Sequence, residues 1–599
     1  MNAHSAPFPS ADLPVWTLAD LYLGRDDPRL ADDLAAADVL ATELEALKGT
    51  LSASRGDPPK LGALLDRSIG LYQRMTDIVG GLGAYAGLAA SIGREDPAWP
   101  RFEADMRAKL SVVMSRTLFL SLEINALSEE DLAAALAAVP AAAHWRPWLR
   151  RVRGFKAHEL SPDLEKLFND RAPAVANWVR LYDDALGQLL VRIGSERLGL
   201  PEALARLSDP KPHRRKAAGL ALAKALAERQ DLFALCLNTV AEEKRVEDRW
   251  RGYADPAAAR HLANEVDPDA VAAMESAVVG AYDSLSHRYY RLKSKAMGKK
   301  RLDYWDRNAP LDEAAPRLFA WGEARGMVLE SFAALAPDLA RRAERFFAEP
   351  WIDARPRPGK QSGAYSHPVT APRHPYVFLN YLGERRDVLT LAHELGHAVH
   401  QTLAAPQGTL LAETPLTLAE TASIFAEGLV FERLLAEAPA EGRRTLLAGK
   451  IEDALNTVVR QIAFHRFETR FHAARAAGEV SVEAIGALWL EVIGESLGPA
   501  IRLGPGFEIY WAYVTHFVHA PFYVYAYAFG DLLVEALMEA RARDPEGFAP
   551  LYQQLLAGGG ARTYVEALAP FGLDPREAAF WQGGLRRLEG LVDAFEVLV

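Results

Sequence analysis

The sequence predicts a mainly α protein with one small β-sheet just ahead of its most informative helix. Long stretches rich in Ala, Leu, Glu, Arg and Lys repeat apolar residues every three or four positions, the period of one helix face. A proline-rich span, 349–387, replaces that rhythm with short strand-like pieces, and the helical rhythm then returns to the C-terminus. At 599 residues the chain exceeds one simple core, so two or more lobes, or one large elongated domain, are expected.

Helices are expected over 31–47, 60–79, 214–246 and 267–296. Asp209-Pro210 followed by Lys211-Pro212 reads as a turn into a helix, since proline suits first turns and not interiors. The Ala-rich stretch 132–143 is broken by Pro140 and is too short to cross a bilayer. No repeat of fixed period is present. The Gly- and Pro-containing stretch 194–212 divides the chain into an N-terminal helical lobe, 1–195, and a catalytic domain, 196–599. Within the proline-rich span, 363–367 and 376–381 (YVFLNY) carry the aromatic and β-branched residues of strands. Prolines at 350, 356, 358, 368, 372 and 375 suit edge strands. An exposed edge at 376–381 could pair with an extended peptide, which makes Tyr376 and Phe378 candidates for substrate contact.

A formal net charge of −11 and a pI near 5.8 argue against a nucleic-acid binder and against a basic membrane-surface protein. The single cysteine, Cys236, lies in the apolar run 232–237 and reads as a buried small hydrophobe. The opening MNAHSAPFPSADLPVW has neither a cationic start nor a long apolar run, so no signal peptide is expected. The chain reads as cytoplasmic.

The decisive segment is Asp387-Val-Leu-Thr-Leu-Ala-His393-Glu394-Leu-Gly-His397-Ala-Val-His400. Histidines four apart on a helix project from one face, a spacing that suits two nitrogens on one zinc ion. Glu394, about 100° round the helix from His393, is placed to act on water as a general base. Gly396 leaves room for a neighbouring element to approach closely, and Asp387 is the expected N-cap. A third ligand is needed. Position 403, where a further histidine would extend the motif, is Leu403, and His400 cannot simply replace it. The carboxylates that follow are Glu413, in a turn before Thr414-Pro415, Glu420, expected inside a helix over 417–437, and Glu427. A rigid helix favours Glu420, with Glu427 on the same face able to hydrogen-bond a ligand histidine from behind.

HELGHAVH followed by LAETASIFAE resembles the M3 family of metallopeptidases, the thimet-oligopeptidase group, and within it the bacterial oligoendopeptidase F branch. WTLADLY, GKQSGAYSHP, YVFLNYLG and HFVHAPFYVYAYAFG resemble other segments of that branch, so the likeness runs over nearly the whole chain. It implies one zinc ion held by His393, His397 and Glu420, with Glu394 as catalytic base. It also implies two helical lobes enclosing a deep channel, and oligopeptide substrates rather than nucleic acid or membrane.

If 515–529 is one helix, His516, His519, Tyr523 and Tyr527 share a stripe while Tyr525 points elsewhere, with Pro521 an obstacle to regularity. A histidine and tyrosines on one face are suitable donors to an oxyanion. The resemblance favours His516 and Tyr523 in that role and adds Tyr527 as a substrate contact. The expected activity is hydrolysis of internal peptide bonds by zinc-activated water. The alternatives are a carboxypeptidase or dipeptidyl carboxypeptidase, with Arg385 or Arg386 as carboxylate anchor, and a helical binding protein cemented by structural zinc.

Overall fold

The computed structural model describes residues 13–311 and 317–599. The stretch read for a signal peptide, 1–16, therefore lies largely outside the described residues. Helix α1 (Pro28–Glu45) starts where the Asp27 carboxylate accepts from the Arg29 N–H, and α2 (Pro58–Ile92) starts on the carboxylate of Asp57. Helix α2 runs 35 residues, past the expected end at 79, with Gly80, Gly81, Gly83 and Gly87 lying inside it rather than ending it. A Cβ at Gly80 would stand 2.5 Å from the Thr370 methyl, so the glycine is what admits that contact.

A short hairpin, β1 (Val191–Ile193) with β2 (Glu196–Leu198), precedes the expected helix 214–246. That helix is in fact two, α3 (Pro212–Ala227) and α4 (Gln230–Arg251), because Arg229 leaves helical geometry at φ −127°. The expected helix 267–296 is α5 (Pro268–Gly280) and α6 (Arg288–Ala296), with a π-turn at Asp283–His287 between them. Strand β3 (Leu302–Asp303) pairs in parallel with β7 (Ile501–Arg502). The proline-rich span forms the predicted sheet from β4 (Ile352–Asp353), β5 (Tyr365–His367) and β6 (Tyr376–Phe378). Beyond it come α7 (Arg385–Ala404), α8 (Leu416–Ala419), α9 (Thr421–Glu437), α10 (Arg460–Ala477), α11 (His516–His519) and α12 (Tyr525–Arg543).

The chain forms two compact units, each assembled from three separated segments. The first takes Met1–Lys156, Pro316–Leu434 and Asp544–Gly572, and the second takes Ala157–Ala315, Leu435–Arg543 and Leu573–Val599. Compactness thus interleaves the chain, and position 195 falls inside the second unit. In the first unit one core cluster joins Leu44, Leu65 and Ile69 to Leu410 and Leu411. Another joins Trp16, Leu82 and Tyr85 to Tyr376 and Phe378. Burying each such side chain stabilises the unit by about 1.5–3 kcal/mol. By length and composition α2 could span a bilayer, but 56% of its most apolar window is buried in the protein itself.

The strand order β4-β6-β5 corrects one expectation. Strand β6 is central, with Val377 opposite both Ile352 and Ser366, and β4 and β5 form the two edges. Prolines 368 and 375 flank the strands without interrupting them, so they do not push β6 outward. Tyr376 and Phe378 are fully buried: Trp16 packs on both rings, Tyr365 stacks on Phe378 at 4.7 Å, and the Tyr376 hydroxyl donates to Asp20. Their side chains are core. Phe378→Ala is expected to cost this unit's unfolding transition about 3–5 kcal/mol, read as a lower urea midpoint. An unshifted midpoint would contradict the core assignment.

Candidate metal centre

Helix α7 begins two residues before the expected cap. Glu384 is the N-cap, and Asp387, three residues on, accepts from the N–H groups of Glu384 at 3.0 Å and Leu382 at 2.8 Å. Asp387 closes a capping box instead of opening the helix. Two turns further, His393 and His397 lie on one face with ring centroids 5.0 Å apart. On the adjoining face Gly396 meets α9: a Cβ there would stand 2.5 Å from the Ala422 carbonyl oxygen and 2.7 Å from the Ser423 Cα. The expected close approach at Gly396 is present.

Glu420 is not inside a helix. It sits at the break between α8 and α9, and its carbonyl accepts from the Ile424 N–H to start the second helix. The break turns its carboxylate onto the histidines, with Glu420 Oε2 3.3 Å from Nε2 of both His393 and His397. The Ser423 hydroxyl donates to that same oxygen at 2.8 Å. Behind the ligand face, Glu427 Oε2 lies 3.6 Å from His393 Nδ1, on the side opposite Glu420. Among the described residues, His393, His397 and Glu420 form the group able to hold a metal ion, their donor atoms within 4.8 Å of one another. Glu413 is not part of it.

The electrostatics favour a cation. Burial pushes the His393 imidazole down, yet the hydrogen bonds to Glu420 and Glu427 outweigh it and lift the group to about 10. Burial raises Glu420 as well, but its hydrogen bonds to both histidines hold it well below the usual carboxylate range. The site's field therefore stabilises positive charge, and two imidazoles with one carboxylate match the three-ligand pattern of catalytic zinc. Glu394 is buried; desolvation raises its carboxyl above the ordinary value, partly offset by the two histidines and a hydrogen bond from the Ser366 backbone. Ser366 is also tied to α7 through Gln401 at 2.9 Å. Sequence reading missed this edge-strand anchor, since nothing local marks Ser366 or Gln401.

In the second unit, residues 515–529 are not one helix. Helix α11 ends at His519, and Phe522 takes a left-handed backbone at φ +60° before α12 begins. The break brings three expected residues together: His516 Nε2 is 3.0 Å from the Tyr527 hydroxyl, and the Tyr523 ring stacks 6.3 Å from His516 and stands 5.4 Å from Tyr527. His519 leaves the group and pairs with Asp183 at 2.6 Å. Tyr525 turns into the core, bonded to His261 and Asn264. Burial holds the His516 imidazole below its ordinary range and the Tyr527 phenol above it. The clamp on this turn is a residue the sequence did not single out, Glu468 of α10, whose Oε1 accepts from the Phe522 N–H at 2.7 Å. A polar stripe of His465, Glu468 and His472 inside the aromatic run of α10 was the available signal.

The profile of Peptidase family M3 matches residues 205–587, and that described as Oligopeptidase F matches residues 123–189. An oligoendopeptidase F homolog of Lactococcus lactis is 29% identical over 388 residues, 64% of each chain. The chain's match thus spans under two thirds of the length of such curated relatives. A crystal structure from Chlamydophila abortus superposes with a TM-score of 0.86 at 22% identity, covering 99% of this chain and 100% of that one. Oligoendopeptidase-F from Enterococcus faecium gives 0.69 at 19% identity, covering 95% and 99%. These likenesses show a shared, mainly α fold.

Two outcomes follow from the geometry. Glu427→Ala is expected to weaken metal binding about 10–100-fold in a chelator competition, because His393 loses the carboxylate 3.6 Å from its Nδ1. Unchanged affinity would leave Glu427 without that role. Burial raises the Glu468 carboxyl to about 8, outweighing the Phe522 N–H and the cations Arg260 and Lys244. The folded protein then holds a proton that the unfolded chain, with the ordinary value of 4.5, releases, so this group's contribution to stability falls as pH rises from 4.5 to 8. Glu468→Gln keeps an acceptor for Phe522 and does not titrate. Its Tm relative to the parent is expected to rise between about pH 5 and pH 8; a constant difference would mean that Glu468 is already ionised.

Proposed function

The chain belongs to peptidase family M3, and on that premise we propose that it is a zinc-dependent endopeptidase acting on internal bonds of short, unstructured oligopeptides. The observation that carries the reading is the placement of one carboxylate oxygen, Glu420 Oε2, at 3.3 Å from both His393 and His397 while Glu394 lies buried on the same helix. His393, His397 and Glu420 would hold one zinc ion, three donors being the pattern of catalytic sites and four that of structural ones. Bound there, zinc supplies Lewis-acid chemistry, polarising the scissile carbonyl and acidifying water.

The protein's own groups do the rest. The Glu394 carboxylate takes the proton of the attacking water and returns it to the leaving amine nitrogen. Its desolvated setting raises its basicity toward that of a proton shuttle. Glu427 holds the His393 ring by Nδ1, which leaves Nε2 free to face the metal position. His516 and Tyr523 are assigned as hydrogen-bond donors to the transition-state oxyanion, and Tyr527 as a substrate contact, on the strength of their donor chemistry and their clustering. A cytoplasmic setting suits the lone buried thiol of Cys236.

Glu394→Gln is expected to bind zinc normally while turnover of mixed oligopeptides, read by mass spectrometry of fragments, falls about 10²–10⁴-fold. Retained turnover in the zinc-loaded variant would remove Glu394 as the base. In the parent, internal cuts that vanish with chelator and return with zinc are expected on free and amidated peptides alike. Cleavage confined to free C-termini would instead indicate a carboxypeptidase.

A further inference from the structure

Tyr523 is the least tied of the three residues that gather at the helix break of the second unit. The Tyr527 hydroxyl is engaged by His516 Nε2 at 3.0 Å, whereas the Tyr523 hydroxyl makes no hydrogen bond among the described residues. Its direction is therefore set by what holds its ring. Besides the rings of His516 and Tyr527, that is a cation: the Arg260 Cζ stands 5.4 Å from the Tyr523 ring centroid, within reach of a cation–π interaction.

Arg260 lies in a short helix, Ala258–Ala263, of the same unit, and this helix grips the segment at two alternate tyrosines. While Arg260 meets Tyr523, His261 Nδ1 lies 3.0 Å from the Tyr525 hydroxyl and the Asn264 side-chain amide donates to that hydroxyl at 2.9 Å. Among the described residues three other than glycine hold a left-handed backbone, and two of them, Glu265 and Phe522, border these two segments. Such strain persists where the surrounding contacts over-determine the backbone, and it clusters at functional sites. The guanidinium charge is also left uncancelled. Among the described residues Arg260 is in no ion pair, and its buried Nε has no hydrogen-bond partner. Glu468 stands in its field, but a carboxyl raised to about 8 is mostly neutral at pH 7. An arginine that only cements packing is ordinarily paired.

We propose that Arg260 is a positioning residue for peptide hydrolysis, holding the Tyr523 ring so that its hydroxyl points at the oxyanion and lending that hydroxyl a positive field. The proposal rests on the reading of Tyr523 as an oxyanion donor. The carbonyl oxygen gains its negative charge only in the transition state. Loss of Arg260 therefore lowers kcat and leaves KM near its parent value.

The test is a double-mutant cycle in the full-length zinc-loaded protein, with Arg260→Met, which keeps the aliphatic stem, Arg260→Lys, Tyr523→Phe and the paired substitutions. Circular dichroism and zinc stoichiometry verify that the variants are folded and loaded. Arg260→Met is expected to lower kcat about 3–30-fold with KM unchanged, and Arg260→Lys to restore part of the loss. In the Tyr523→Phe background Arg260→Met is expected to cost nothing further, since the hydroxyl it serves is gone. A loss that persists undiminished without the hydroxyl, or one that falls on KM, overturns the proposal and leaves the endopeptidase intact. The ring itself is read by 19F NMR with 3-fluorotyrosine in place of Tyr523. Its resonance is expected to move in Arg260→Met and to return most of the way in Arg260→Lys; an unmoved resonance overturns the proposal. Tyr523→Phe at the parent kcat, or no cleavage by the parent at all, overturns the oxyanion reading or the endopeptidase reading respectively, and the catalytic role of Arg260 with it. A resonance that still follows Arg260 in either case retains its hold on the ring.

Discussion

The metal centre depends on a single close contact, the crossing of α7 and α9 at Gly396. Packed helices ordinarily lie about 8–10 Å apart, with side chains filling the gap. Here the Ala422 carbonyl and the Ser423 Cα occupy the space that a Cβ on residue 396 would take. Glycine in a helix interior costs about 0.5–1 kcal/mol relative to alanine. The return is positional: with α9 so near, Glu420 reaches both histidines, Ser423 steadies its carboxylate, and Glu427 backs His393. Each of these contacts follows from the one missing side chain.

That proximity has an electrostatic consequence. Glu394, Glu420 and Glu427 all act on His393, and burial opposes the charged forms of His393, Glu394 and Glu420. Gathering three carboxylates around two imidazoles is costly unless positive charge is shared among them. A divalent cation relieves that cost better than a proton, since it satisfies three donors at once. Metal binding at such a site is therefore coupled to the stability of the segments that carry the ligands, α7 and the turn before α9.

The HExxH helix was legible because its information is local: two histidines one turn apart and a glycine between them fix the face, whatever surrounds it. Glu420 was legible as a ligand candidate but not as a helix break, because the apolar period of LTLAETASIFAE runs through the break without a stutter. The order of the strands escaped for the opposite reason. Prolines near 376 suggested an edge, yet they flank the strand, and which strand is central is set by pairing with residues 352–353 and 365–367. The left-handed turn at Phe522 was beyond local reading altogether, since its acceptor, Glu468, lies 54 residues away along the chain. Pro521 marked the irregularity but not its shape.

In both units a part of the site stands at an interrupted helix, Glu420 in the first and the group of His516, Tyr523 and Tyr527 in the second, while His393, Glu394 and His397 ride on the unbroken α7. On one continuous helix His516, Tyr523 and Tyr527 would share a stripe but stand apart along the axis, about 16 Å from His516 to Tyr527 at 1.5 Å per residue, so it is the break that brings them into contact. Each interruption removes regular backbone hydrogen bonds and is repaired by a particular side chain. Ser423 braces the carboxylate at the first, and Glu468 captures the Phe522 N–H at the second. The second repair is the more demanding, because Glu468 is fully buried and keeps its hold without a paired cation in hydrogen-bond range of its other oxygen. Burial itself supplies the solution: a carboxyl raised to about 8 is neutral at neutral pH, so it holds the turn as an acceptor without carrying a charge into the core.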